Sequence, residues 1–226
     1  HNTLDSAMNY VYKDALFAFF ENKHAEDLLE TIFRTIENYP KDNLDAMMNM
    51  ISGHDIERAL TRLAKGGANG HDRYWQAAND HLSDEEYARG VHLLKQMSVL
   101  QYFLPGNPCL YYGDEAGVYG FKDPHNRKTY PWGHEDTDLI EFYRTLGAIR
   151  KAHPFLKDAR FVPVMFHGGI CVFLREDEKT GQKLYVGVNL SDSTFDLDFV
   201  EGDNVLYTSE PQKVKKLVPK GSIIME

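Results

Sequence analysis

Three short stretches of this chain carry residues able to do chemistry. The first is Met48-Asn49-Met50-Ile51-Ser52-Gly53-His54-Asp55-Ile56-Glu57-Arg58. An apolar run ends in Gly-His-Asp, and an arginine follows three residues later. A run of that kind reads as a buried strand. An imidazole and a carboxylate at its end stand at the mouth of a sheet, where α/β folds place their ligand chemistry. A carboxylate there must be paired, solvated or used, and one reading is a satisfied polar pair with Arg58. His-Asp recurs at His71-Asp72, and such pairs hold metals in some phosphohydrolases. That needs a helical scaffold and further ligands. Here the first pair ends a strand pattern and the second lies in a Gly-rich loop, so no metal site is expected.

The second stretch, Pro108-Cys109-Leu110-Tyr111-Tyr112-Gly113-Asp114-Glu115-Ala116-Gly117, is another apolar run closed by two acids. Acids at a second strand end beside Asp55 suit a carboxylate pair, separated by about 5–5.5 Å for retention and about 6.5–9.5 Å for inversion at a sugar carbon. The plainer alternative is that one acid caps a turn and the other binds loop amides. The third stretch runs from Gly120 to Trp132 and sets Asp123 and Arg127 four residues apart, with Trp132 near. Acceptors, charged donors and a flat apolar face together suit a sugar.

Elements must hold these residues. Leu4 to Met8 reads as a short strand. Lys13–Asn22 and Glu26–Tyr39 carry apolar residues at helical spacing, and Pro40 stops the second. Ala46–Ser52 is a strand, and Ile56–Leu63 a helical turn before a glycine loop. Ser83 and Glu86 form a capping box that starts a helix to about Phe103. Pro105-Gly106-Asn107-Pro108 breaks the chain before the strand at Cys109. Alternating strands and helices imply parallel pairing with right-handed crossovers. Gly113–Gly133 is a long loop of the kind that is usually functional or mobile, and Asp138–Ala152 is an amphipathic helix. From Ala159 strands replace helices: Phe161–Phe166, Ile170–Arg175, Lys183–Asn189, Thr194–Phe199, Asn204–Thr208 and Lys216–Pro219, with a hairpin turn at Glu178–Gly181. The expected organisation is two domains, 1–158 and 159–226.

The 226 residues are 42% hydrophobic and 26% charged, the balance of a globular chain able to bury a core. A net charge of −9 offers no basic field for nucleic acid, and no stretch approaches the roughly 20 apolar residues of a membrane span. The two cysteines, Cys109 and Cys171, lie in apolar runs and read as buried thiols. The opening His1-Asn2-Thr3 lacks an initiator Met and a signal pattern, so the chain reads as part of something longer, with no compartment assigned.

Taken in order, the motifs resemble the α-amylase family of glycoside hydrolases. Leu4-Asp5-Ser6-Ala7-Met8-Asn9-Tyr10 is similar to its sixth barrel strand. Ser52-Gly53-His54-Asp55 resembles its fourth signature region, with Gly53 in place of a polar residue. Pro105-Gly106-Asn107-Pro108 with Tyr111-Tyr112-Gly113-Asp114-Glu115 resembles its eighth strand. Asp123-Pro124-His125-Asn126-Arg127 with Pro131-Trp132 resembles the loop of neopullulanase- and cyclomaltodextrinase-like members. The resemblance implies an α/β plus all-β chain: the last part of a TIM (β/α)8 barrel, about strands 6–8, followed by an antiparallel β-sandwich. It implies retaining hydrolysis or transfer at α-glucosidic bonds of maltodextrins, starch or cyclodextrins. Asp55 would be the transition-state-stabilising carboxylate. His54, Arg58, Asp123, Arg127 and Trp132 would bind substrate, and Asp114 and Glu115 would be structural. The family's nucleophile and general acid have no counterpart here, so the chain alone is expected to be inactive. No cofactor is expected in it, and any calcium would belong to an N-terminal part of the parent. Expected partners are an α-glucan oligosaccharide and either the missing barrel half or a second copy, without nucleic acid or membrane. The rival readings are a non-catalytic sugar-binding or assembly module, and a transglycosylase or isomerase of the same family.

Overall fold

Asn9 starts the first helix: its side-chain oxygen accepts the Tyr12 N–H at 3.0 Å, satisfying a donor that the first turn leaves free. The computed structural model describes residues 6–209 and 214–226, so Leu4 and Asp5 of the first expected strand lie outside the described residues. Helix α1 (Tyr10–Asn22) buries Tyr12, Leu16, Phe17 and Phe19, and Lys23 closes it in the left-handed region at φ 58°. Helix α2 (Ala25–Asn38) buries Leu28, Ile32 and Thr35 along one stripe. Pro40 ends it and leads into the short α3 (Lys41–Asp45).

Three parallel segments follow the strand–helix alternation. Met8 bridges Met48 in parallel, and β1 (Met48–Asn49) pairs in parallel with β2 (Asn107–Pro108). The expected strand over Ala46–Ser52 is reduced to two residues, and the one expected from Cys109 does not form; the two paired residues, Asn107 and Pro108, precede it. Side chains supply the reason. The Asn49 carbonyl accepts from Gln101 Nε2 at 3.0 Å, so it is not free for a ladder. The Asn49 side chain meanwhile accepts from Asn9 Nδ2 at 3.0 Å and donates to the Pro105 carbonyl at 2.9 Å. Gly106 is required beside this network, because a Cβ there would stand 2.9 Å from the Met47 carbonyl oxygen.

The chain packs as two compact units. One combines the segments up to Asn49, Val99–Pro108 and Gly147 onward. Its later part is all strand: β3 (Arg160–His167), β4 (Ile170–Asp177), β5 (Gln182–Asn189), β6 (Phe195–Asp196), β7 (Val205–Thr208), β8 (Lys216–Leu217) and β9 (Ser222–Met225). Five form an antiparallel sheet in the order β3-β4-β5-β9-β7, and β6 pairs with β8. Alternation sends Ile170, Val172 and Leu174 into a core shared with Tyr185, Leu197, Leu217, Ile223 and Met225. Cys171, Phe173 and Arg175, on the opposite face of β4, are buried as well. Arg175 donates to the carbonyls of Phe103, Leu156 and Ala159 at 2.7, 3.0 and 2.9 Å. Burial lowers its pKa to about 10. The Glu178–Gly181 turn forms, with the Asp177 carboxylate accepting the Lys179 N–H at 3.0 Å. Strand β9 was not anticipated from the sequence, being four residues set between Gly221 and the last residue.

The other unit comprises Met50–Ser98 and Cys109–Leu146. It holds α4 (Ala59–Lys65), α5 (Arg73–Asn79), the first part of α6 (Asp84–Phe103) and the first part of α7 (Thr137–Ala152). The capping box forms reciprocally: Ser83 N–H to Glu86 Oε2 at 2.9 Å, and Glu86 N–H to Ser83 Oγ at 3.2 Å. Helix α5 was not anticipated. Asp72, read earlier as half of a His-Asp pair, caps it by accepting the Trp75 N–H at 2.8 Å, and His71 stacks on Trp75 at 3.8 Å. Of the cysteines, neither in a disulfide, Cys171 is buried but Cys109 is only half-buried.

Candidate functional site

The site lies wholly within the second unit and is built on a tight turn. Gly53 and Ile56 form an isolated antiparallel bridge, leaving His54 and Asp55 at the tip with side chains 60% and 61% exposed. Gly53 packs closely under it, since a Cβ there would lie 3.0 Å from the Met50 side chain. Ser52 Oγ accepts the Ala59 N–H at 2.9 Å and so ties the turn to the start of α4.

From the far loop, Asn126 reaches into the turn. It is fully buried, and its Nδ2 donates to the carbonyls of Gly53, His54 and Ile56 at 3.2, 2.9 and 2.7 Å. Its neighbours complete an ionic string: His54 Nε2 to Asp55 Oδ2 at 3.1 Å, Asp55 Oδ1 to Arg127 at 4.0 Å, and Arg127 Nε to Asp123 Oδ1 at 3.2 Å. Arg127 Nε also lies 3.2 Å from the His54 carbonyl. The string is exposed along its length, so each carboxylate keeps oxygen lone pairs open to a ligand while its direction is constrained. Trp132, 80% exposed, does not join it; its ring contact is with Tyr130, at 4.6 Å.

Arg58 is placed differently. It is completely buried, with its Nε on the Asn126 carbonyl at 2.9 Å and its terminal nitrogen on the Tyr112 carbonyl at 2.6 Å and Asp114 Oδ1 at 2.9 Å. Its guanidinium also lies over the rings of Tyr111 and Tyr112, at 4.1 and 4.8 Å. It therefore supports the site from beneath, paired with Asp114 and not with Asp55, and faces no solvent. Burial pushes Asp114 up to about 6, against the opposing pull of Arg58 and Ser52. Asp114 thus has no opening toward Asp55 for a two-acid mechanism.

The loop carrying Asn126 is itself anchored. Asp80, nearly buried, receives His125 Nδ1 at 3.1 Å, Lys128 Nζ at 2.8 Å and the Phe121 N–H at 3.3 Å. Gly120 is obligatory, because a Cβ there would collide with the His125 carbonyl at 2.0 Å. Asp80 and Asn126 were not singled out from sequence. An amide between Asp123 and Arg127 was the available signal for Asn126, and Asp80 gave none. Among the described residues no group of three or more His, Cys, Asp or Glu is disposed to hold a metal ion.

The order of the parallel segments, the strand-rich C-terminal part and the Gly-His-Asp turn identify the class: the chain belongs to the α-amylase family of glycoside hydrolases. It is 33% identical over 186 residues to the amylopullulanase of Thermoanaerobacter thermohydrosulfuricus, covering 77% of this chain and 12% of that protein. It is 29% identical over 181 residues to a Bacillus cyclomaltodextrinase, covering 77% of this chain and 28% of that protein. The chain thus spans about an eighth to a quarter of these relatives. No protein-family model matches it. The cyclic α-maltosyl-(1→6)-maltose hydrolase of Arthrobacter globiformis shares the fold, with a TM-score of 0.75 over 99% of this chain and 45% of that one at 23% identity.

Proposed function

We propose that this chain is part of a retaining glycoside hydrolase acting on α-glucosidic bonds of maltodextrins, starch or cyclodextrins. The relatives' names, amylopullulanase and cyclomaltodextrinase, support that substrate class. One observation carries the assignment of the site: Asp55 is held out to solvent on a clamped turn, with His54 on one carboxylate oxygen and Arg127 facing the other. In this reading Asp55 accepts hydrogen bonds from ring hydroxyls, and these strengthen as the sugar flattens and gains positive charge. His54 shares those hydroxyls, Asp123 and Arg127 bind a glucose unit further from the scissile bond, and Trp132 offers a ring face. Met8, β1 and β2 would be barrel strands six to eight, residues 1–158 the barrel portion and 159–226 the sandwich. The nucleophile and general acid would come from elsewhere in the parent enzyme.

The test is Asp55→Ala in the full-length parent. The expected outcome is a fall in kcat far larger than any rise in KM, because the lost interaction is strongest at the transition state. Turnover within about threefold of wild type, under roughly 0.7 kcal/mol, would remove the assigned role.

A further inference from the structure

We propose that Asn126 is the positioning residue for the Asp55 carboxylate. The proposal rests on the reading of Asp55 given above. A tight turn at a strand end has several ways to tilt, and the direction of a side chain at its tip follows the tilt. Here three of the turn's carbonyls, those of Gly53, His54 and Ile56, converge on one buried amide nitrogen. An amide has two hydrogens, so three acceptors share them, and moving any one residue of the turn breaks a bond for which no water can substitute at a fully buried site. The clamp fixes the turn from inside while the side chains of His54 and Asp55 point out.

The amide is itself immobilised. Its own backbone carbonyl accepts from Arg58 Nε at 2.9 Å, and Arg58 is pinned in turn to Asp114 and to the Tyr112 carbonyl. Asn126 sits between His125, tied to Asp80, and Arg127, whose guanidinium faces the Asp55 carboxylate at 4.0 Å. One short segment thus sets the tilt of the turn through Asn126, with Arg127 held opposite the carboxylate at its tip. A carboxylate that must meet a transition state gains from this arrangement, since misplacement by about 1 Å can cost 10²-fold in rate.

The experiment uses the full-length parent enzyme with maltooligosaccharide substrate. Asn126→Ala and the milder Asn126→Ser, which keeps one donor, are made alone and together with Asp55→Ala. Asn126→Ala is expected to lower kcat on the order of 10²-fold with KM changed less than about threefold, and Asn126→Ser to fall between it and wild type. In the Asp55→Ala background neither change should cost much more, because the group being positioned is gone. Should Asn126→Ala not fold, Asn126→Ser carries the same cycle. Losses that multiply in the double variants, or Asn126 variants that turn over within about threefold of wild type, overturn the proposal. An Asp55→Ala enzyme with wild-type turnover overturns the functional reading itself, and this one with it.

Discussion

Removing Arg58 exposes how the site is supported. Asp114 is 2% exposed and is ion-paired with Arg58 at 2.9 Å. Even with that partner, burial lifts the carboxyl from the usual 3.8 to about 6, which corresponds to about 3 kcal/mol against the ionised form. Because the folded value lies above the unfolded one, stability from this group is full below pH 3.8 and is lost as pH rises toward 6. Arg58→Met keeps an apolar stem and deletes the charged guanidinium that lies over Tyr111 and Tyr112. Above pH 6 it leaves a buried carboxylate unpaired, a loss of about 3–5 kcal/mol. Below pH 5 the carboxyl is protonated; the hydrogen bonds to the Tyr112 and Asn126 carbonyls are missed, about 1–3 kcal/mol, and so are the ring contacts, which are lost equally at either pH. The deficit, measured by urea unfolding of the chain, should therefore be larger at pH 8 than at pH 5 by about 2 kcal/mol, near 1 M in midpoint at a typical slope. Asp114→Asn should flatten the pH dependence between 4 and 6. An Arg58→Met deficit equal at the two pH values would refute the account, because it would mean that Asp114 is not carrying a buried charge.

Three further outcomes are expected. The isolated chain should release no reducing sugar from starch, pullulan or cyclodextrin, since covalent retaining chemistry needs a nucleophile and an acid; release that Asp55→Asn abolishes would contradict this. In the parent, Asp123→Ala and Arg127→Ala should raise KM for longer oligosaccharides more than for maltose-sized ones, and identical responses would exclude a remote subsite. The isolated chain should self-associate in light scattering, because Met8, β1 and β2 make a short parallel sheet whose outer edges invite pairing; a strict monomer would show that those edges are otherwise protected.

Local chemistry was legible in the sequence and distant chemistry was not. Ser83 and Glu86 are three residues apart, so the start of α6 could be read from the two side chains alone. The alternation in β3, β4 and β5 is likewise local. Helix α5 escaped because its cap, Asp72, looked like the second half of a repeated His-Asp motif. Arg58 was placed on the wrong side of the turn because its carboxylate partner lies 56 residues further on, and nothing nearby signals burial. Asn126 was visible inside its loop motif, yet its role depends on carbonyls about 70 residues earlier. Strand β1 was overestimated because apolar residues around Asn49 carry the period of a strand, while Gln101 takes the carbonyl that would extend the ladder.

Strand β9 is synthesised after both β5 and β7 and yet lies between them. The first compact unit also joins the two ends of the sequence: the Ala25 N–H donates to the Gly168 carbonyl at 2.8 Å, and Phe33 meets Phe161 edge-on at 6.1 Å. A ribosome adding about 5–20 residues per second leaves the start of α2 waiting on the order of ten seconds for its acceptor, and the sheet stays split until Ser222–Met225 arrive. The residues of the second unit are all in place by Leu146. Such a high contact order slows closure, so the nascent chain passes an interval in which α2 lacks its contacts with β3. Cutting the polypeptide at residue 158 would make that interval permanent.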